Sequence, residues 1–262
     1  MRRATGARVH AEDVTLTTRE GPVYTGIDFT ARPGTLTVFQ ADSGGGRSAL
    51  LLTLTGRMRP SRGTLHVDGF SLPKQARKVR RISSLGLMND VNDLDERLRV
   101  REHLSEARLL RLRPSARSVA DEAMEAVGLA DLDRKTLIKE LPLPERRRLG
   151  MALGLVYEPR LLAVDDVDGG LSGEHQAEMW RTLKDLSEEG LTVIATCADA
   201  RELGTVADDD TQGPIPIHQG EAPESTEDEG VIGISDLLHG EKDDTDGDKR
   251  NGRKGGAHRA QS

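Results

Sequence analysis

Ala41-Asp42-Ser43-Gly44-Gly45-Gly46-Arg47-Ser48 lies between an alternating apolar stretch that includes Leu36 and Val38 and the run Ser48-Ala49-Leu50-Leu51-Leu52-Thr53-Leu54, which Gly56 stops. Strand, glycine-rich loop and helix, in that order, form the setting a phosphate-binding loop requires. Glycines let successive backbone N–H groups curl around phosphate oxygens, and the start of the helix adds the positive end of its dipole. The full pattern for such a loop is Gly, four residues, Gly, Lys, then Ser or Thr. Here Gly46 and Ser48 match, Ala41 replaces the first Gly, and Arg47 replaces the Lys. Taken alone, the segment reads more readily as plain turn chemistry before a helix.

The flanking chain adds context. Val14, Leu16, Ile27, Phe29, Leu36 and Val38 are the apolar members of alternating patterns broken at Glu20-Gly21-Pro22 and Arg32-Pro33-Gly34, which predicts short strands over residues 9–40. A second small β segment is expected around Thr64–Val67, before a polar stretch rich in Lys and Arg. Residues 98–155 read as helical, with Ala120, Ala123, Met124 and Val127 at spacings near three and four. The short apolar runs Leu161–Val164 and Leu191–Ala195 are bounded as fully buried parallel strands would be, and the helical pattern Glu174–Glu189 separates them. Strand, helix, strand at this spacing predicts a right-handed parallel crossover.

Composition narrows the function classes. The 262 residues allow one good-sized domain with a tail, and at 2% aromatic content the core must be built from Leu, Val, Ile and Ala. From about Ala207 onward Gly, Asp, Glu, Ser and Pro dominate, leaving too little apolar surface to offset ordering entropy. Residues 205–262 are therefore expected to form an acidic, disordered tail, with Val231–Leu238 as a candidate short ordered motif. The formal net charge is −7, and residues Asp208–Ser262 hold 14 acidic against 6 basic side chains, so the rest is nearly neutral. That balance speaks against a basic nucleic-acid surface. A single cysteine, Cys197, excludes an internal disulfide and fits a reducing cytosol; at a strand end it reads as a small buried filler. The start MRRATGARVH lacks the apolar stretch of a secretory signal, and no run approaches the roughly 20 apolar residues of a membrane span. A soluble protein is expected, with any membrane role supplied by a partner. His66, His103 and His175 are scattered and offer no metal-ligand spacing.

Gly56-Arg57-Met58-Arg59-Pro60-Ser61-Arg62-Gly63-Thr64-Leu65-His66-Val67-Asp68-Gly69 closely resembles the ATP-binding-cassette (ABC) family, in which Gly, Pro, Gly and Gly recur at this spacing after the phosphate loop and its helix. Val23–Gly34 resembles the family's strand and Pro-Gly turn before the loop, and Leu98–Leu104 its "LTVxENL" segment. Arg148–Leu162 and Gly190–Asp199 resemble its later helix and core strands. The likeness covers residues 8–202 in order and spacing. It implies an α/β P-loop NTPase fold of ABC type: a mostly parallel core sheet, an antiparallel β subdomain, and an α-helical subdomain over about 91–149. The domain would run from 8 to 204. The resemblance further implies ATP and Mg²⁺ as cofactors, the nucleotide resting on Ala41, Asp42, Ser43, Gly44, Gly45, Gly46, Arg47, Ser48 and Ala49. Ser48 and Asp165 match metal positions, Asp90 is a weaker third, and Asp166 occupies the place of the catalytic glutamate. Implied partners are a second cassette, identical or different, and an integral membrane protein that would hold this chain at the cytoplasmic face of the membrane.

Several positions depart from the family pattern. Arg47 keeps a positive charge, but a guanidinium is a wide planar fork where the lysine ammonium is a compact point. It could instead face solvent or pair with Asp42. Asp166 is one methylene shorter than glutamate, so its carboxylate falls about an ångström short of the attacking water, a displacement worth on the order of a hundredfold in rate. Asp165-Asp166-Val167-Asp168 also reads as a solvated turn. Asp90 stands for the Q-loop glutamine, and an acid there repels a γ-phosphate unless Mg²⁺ screens it. Leu141-Pro142-Leu143-Pro144-Glu145 replaces the signature Leu-Ser-Gly-Gly-Gln, and its prolines supply no N–H. Ala198 stands at the switch histidine and Ser172 at the D-loop aspartate. Thr17 and Thr18 occupy the stretch where an aromatic would stack on adenine; Tyr24 is expected to pack against the β subdomain instead. The resemblance with these departures implies ATP binding with weak or absent hydrolysis. The alternatives are a non-enzymatic regulatory or scaffold module and a working ATPase with unorthodox residues. A GTPase is disfavoured for want of an Asn-Lys-x-Asp segment.

Overall fold

The computed structural model describes residues 5–111 and 118–220. The chain opens with a long hairpin, β1 (Val9–Thr18) and β2 (Gly21–Ala31), then β3 (Leu36–Gln40) and α1 (Arg47–Leu54) on either side of the glycine loop. β4 (Arg62–Val67), β5 (Phe70–Leu72), the short α2 (Ala76–Arg80) and β6 (Ser83–Leu85) follow. Helices α3 (Val100–Leu110), α4 (Ser118–Ala126) and α5 (Leu143–Leu155) precede β7 (Leu161–Val164), α6 (Gly173–Glu188), β8 (Thr192–Cys197) and β9 (Thr211–Pro216).

Two sheets result. The antiparallel one has the order β2-β1-β4-β5, and the other has the order β6-β7-β8-β3-β9 with every neighbouring pair parallel. β7 and β8 are adjacent and parallel with α6 between them in sequence, as the apolar runs predict. Their side chains are buried on both faces, which is why each reads as an unbroken apolar run. The period of two sorts them into two cores. Leu162, Val164, Val193, Ala195, Leu36 and Val38 face a core shared with α3 to α6, where Trp180 is fully buried. Leu161, Ala163, Ile194 and Phe39 face the other way, onto α1 and the antiparallel sheet. There Phe29 meets Phe39 edge to face with centroids 4.9 Å apart, and the buried Tyr24 hydroxyl donates to Thr53 Oγ1 at 2.7 Å. Tyr24, on β2, thus reaches across to α1 as well as lying in the core of the antiparallel sheet.

A parallel α/β core with a separate antiparallel sheet is present, with a helical layer built from α3, α4 and the start of α5. The expected domain end at 204 needs extending. Residues 211–216 form β9 on the outer edge of the parallel sheet, pairing with β3, and Thr25 N–H donates to His218 O at 2.9 Å. Pro214 and Pro216 are tolerated because an edge strand can spare N–H groups. Val231–Leu238 and the remainder of 221–262 lie outside the described residues.

α5 reaches the edge of the parallel sheet through Gly150. A Cβ there would stand 2.4 Å from Leu87 Cβ and 2.8 Å from Leu87 N. Alanine is the better helix former by about 1 kcal/mol, yet the backbone nitrogen cannot swing aside. Overpacking should win, so Gly150→Ala is expected to lower stability by about 1–3 kcal/mol, read as a lower urea midpoint.

Candidate functional site

The glycine loop leaves the end of β3 and turns directly into α1. Ala41 N–H donates to Cys197 O at 3.2 Å, fixing the loop to β8, and Gly45 N–H donates to Asp42 O at 2.9 Å, closing the turn. Gly46 has φ 79, and a Cβ on it would meet Val23 O at 2.6 Å, so only glycine fits this approach to β2. The first N–H groups of α1 have no partner within the helix. No side chain caps that end and no acid occupies the first turn, so the positive end of the dipole is left facing the cup.

A carboxylate cluster stands beside the cup. Ser48 Oγ donates to Asp165 Oδ2, and Thr196 Oγ1 donates to Asp165 Oδ1 at 2.5 Å. Asp165 is buried at the end of β7, so the first turn of α1, β7 and β8 meet on one side chain. Ser48 and Asp165 thereby present hard oxygens of the kind Mg²⁺ prefers. Asp166 adopts the left-handed conformation, φ 51, and its N–H donates to Thr196 Oγ1 at 3.0 Å.

That turn aims the Asp166 carboxylate between two guanidiniums. Oδ1 lies 3.0 Å from Arg47 Nη1 and Oδ2 lies 3.5 Å from Arg147 Nη2. Arg147 also donates to Asp166 O and, at 2.6 Å, to Gly169 O, so α5 is strapped to the turn after β7. Arg47 therefore neither faces solvent nor pairs with Asp42; its side chain is only 12% exposed. The Arg47–Asp166 contact is close but not aligned as a hydrogen bond, and Arg47 Nη1 is left as a buried donor without an acceptor. The Asp166 carboxylate compensates the charge at 3.0 Å, so an incoming oxyanion would compete with Asp166 for Arg47.

Asp168, which sequence reading treated as part of a turn, holds the next segment. Its carboxylate accepts from Ala198 N–H at 3.0 and 3.1 Å and from Asp199 N–H at 2.7 Å. Gln40 Nε2 donates to Ala198 O at 2.9 Å, so both backbone groups of Ala198 are engaged. A cavity of about 310 Å³ opens beside the loop, lined in part by Gln40, Asp42, Gly45 and Ala198. His218 and Gln219 complete its wall, and Gln219 Nε2 donates to Gly44 O at 2.7 Å. The alternation of Ile215 and Ile217 was the available sequence signal for this segment, masked by neighbouring prolines and acids.

The remaining positions are less convergent. Asp90 is exposed with φ 61, its N–H donates to Asp93 Oδ2 at 3.1 Å, and the structure gives it no contact with Ser48 or Asp165. Asn92 bridges Met88 N–H and Gly86 O, curling the segment so that Asp90 sits on its outside. Among the described residues no group of three or more His, Cys, Asp or Glu could hold a metal. Pro142 caps α5, and Leu143 is 40% exposed beside it. Ser172 caps α6, accepting from His175 N–H at 3.4 Å. Cys197 is buried, which pushes its thiol up to about 12 and keeps it unreactive.

Comparison with known proteins gives these features a family. The profile described as "ABC transporter" matches residues 24–168. The daunorubicin resistance ATP-binding protein DrrA3 of Streptomyces coeruleorubidus is 34% identical, the alignment covering 70% of this chain and 58% of that protein. Ribose import ATP-binding protein RbsA 1 of Rhizobium johnstonii is 27% identical over 70% of this chain and 37% of its own length, so the chain spans only about half, or less, of such relatives. Among solved structures, cbiO1 from Clostridium perfringens, part of the ABC transporter complex cbiONQ, superposes with a TM-score of 0.68 at 21% identity, covering 80% of this chain and 86% of that one. At that identity the likeness shows the fold alone.

Asp168 supplies a direct test of how the loop after β8 is held. Asp168→Ala should free the Ala198 and Asp199 amides, each losing a charge-assisted hydrogen bond worth about 1.5–3 kcal/mol. Amide exchange at these two positions is expected to rise about tenfold or more, with β3 and β7 amides much less affected.

Proposed function

This chain belongs to the ABC transporter family, and from that premise we propose that it is an ATP-binding subunit of a transport system, one that holds Mg-ATP on residues 41–49 and turns it over slowly. The observation that carries the reading is the buried Arg47 guanidinium at the start of α1, beside a loop whose Gly45 and Gly46 leave no room for a Cβ, next to the Ser48–Asp165 oxygens. These groups fit a polyphosphate with its metal. The α1 N–H groups and Arg47 would hold phosphate oxygens, and Ser48 and Asp165 would hold Mg²⁺, which when bound supplies neutralisation of the phosphate charge. The cavity by Gln40, Asp42 and Gln219 adds polar groups next to that cup.

Slow turnover follows from what surrounds Asp166. A general base must reach the proton it removes, whereas this carboxylate is held between Arg47 and Arg147. The switch position, Ala198, offers no imidazole, and its backbone is already tied to Asp168 and Gln40. In a pair of such chains, Pro142, Leu143 and Pro144 would present alkyl surface and missing N–H groups to the partner's nucleotide. An intact cassette as partner could complete only the site built on Arg47. The relatives are named for daunorubicin resistance and for ribose import; a membrane partner of this chain would set its cargo. No helix among the described residues is long and apolar enough to cross a membrane.

Titration of the full chain with Mg-ATP, alongside phosphate release, tests the reading. Saturable binding that Asp165→Ala abolishes is expected. Arg47→Lys should tighten binding without restoring appreciable turnover, because Asp166 and Ala198 remain. No saturation at millimolar nucleotide would return the chain to a non-enzymatic scaffold role, and brisk turnover by Arg47→Lys would refute the slow-enzyme half of the proposal.

The Arg47–Asp166 pair makes a separate prediction. Asp166 competes with phosphate for Arg47 and repels the phosphate itself. Asp166→Asn is therefore expected to tighten Mg-ATP binding by about 3- to 10-fold, a range suited to a partly exposed pair of about 1 kcal/mol, measured by calorimetry.

A further inference from the structure

The two cations that flank Asp166 come from different layers of the fold and are anchored differently. Arg47 begins α1 beside the glycine loop, and Arg147 stands on α5. Arg147 donates to two backbone carbonyls, those of Asp166 and Gly169, so its place does not depend on the Asp166 carboxylate. Arg47 has no such anchor: among the described residues its ionic partner is Asp166 alone, at 3.0 Å. The chain also makes room for the carboxylate on the Arg147 side. A Cβ at Gly169 would collide with Asp166 Oδ2 and stand 2.9 Å from Arg147 Nη2, so only a residue without a side chain lets the carboxylate lie there. The side chains of Arg147 and Asp166 are 15% and 29% exposed, which leaves the pair only partly screened by water.

The difference matters when an oxyanion reaches the cup. An anion that draws Arg47 away deprives a half-buried carboxylate of one counter-charge, and a carboxylate left without any is costly. With Arg147 fixed in place, Asp166 keeps a cation 3.5 Å away and needs only a small side-chain rotation to pair with it fully. Without Arg147, Asp166 would hold Arg47 harder and compete more strongly with the phosphate. We propose that Arg147 is a positioning residue for anion binding: it takes over the Asp166 carboxylate when Arg47 turns to a phosphate oxygen, and does so without touching the ligand. The proposal rests on the reading of residues 41–49 as the nucleotide cup and adds to it the residue that lets Arg47 change partners. Arg147 could also attract phosphate through space, but that contribution does not depend on the charge at position 166. Changing that charge therefore separates the two.

A mutant cycle on the full chain, read by calorimetry, tests it. Arg147→Gln is expected to weaken Mg-ATP binding by about 3- to 5-fold while Asp166 is present. In Asp166→Asn, where no carboxylate needs a counter-ion, the same change should cost less than about twofold. Arg147→Lys, which keeps the charge but gives up the planar fork, should recover most of the loss. Equal losses in the two backgrounds, or no loss in either, would overturn the proposal. A urea-unfolding cycle without nucleotide keeps the test separate from the nucleotide reading. Arg47→Met and Arg147→Gln together should lower the urea midpoint by more than the sum of their separate effects, and the excess should vanish in Asp166→Asn. Simple additivity there would refute the takeover even if Mg-ATP binds. No saturation by millimolar Mg-ATP, with the excess intact, would refute the nucleotide cup and support the shared hold on Asp166.

Discussion

Asp165 is where three parts of the chain become one site. Its two oxygens accept from Ser48 on α1 and Thr196 on β8, while its own backbone follows directly on β7. A buried carboxylate without such donors would cost several kcal/mol, so the hydroxyls are a condition of burying it at all. They also set the position of the glycine loop, because Ser48 is the second residue of the helix that the loop begins. Parallel strands make this convergence possible: the C-terminal ends of β3, β7 and β8 lie on one edge, the place where ligands of open α/β sheets bind.

A charge arrangement next to it gives the site its unusual character. A lysine at position 47 would carry its charge at the tip of a flexible stem. The guanidinium of Arg47 reaches sideways and finds Asp166, whose left-handed backbone turns its carboxylate toward it. Arg147 closes the other side and ties α5 to the same turn. Two cations hold this carboxylate from both sides and fix where it points. Arg47 stays at the start of α1, where a phosphate oxygen could compete with Asp166 for it. The proposed phosphate affinity and the proposed slow turnover thus rest on one geometry.

Much of this was legible in the sequence, and the limits have physical causes. β3, β7, β8, α1 and α6 were readable because continuous burial or amphipathic period leaves a strong pattern over four or more residues. β5 and β6, of three residues each, are too short to carry a period. β9 was hidden because its prolines and flanking acids mimic the composition of a solvated tail, though Leu36, Thr37, Phe39 and Gln40 hold it by backbone pairing rather than by side-chain burial. Ser48 and Asp165 could be placed together from their motif positions. The partner of Arg47 could not: the choice between Asp42, solvent and Asp166 depends on a backbone angle at 166 that no side-chain pattern announces. Asp168 was missed for a similar reason. Its role is to accept from backbone N–H groups 30 and 31 residues away, and backbone donors carry no sequence signature.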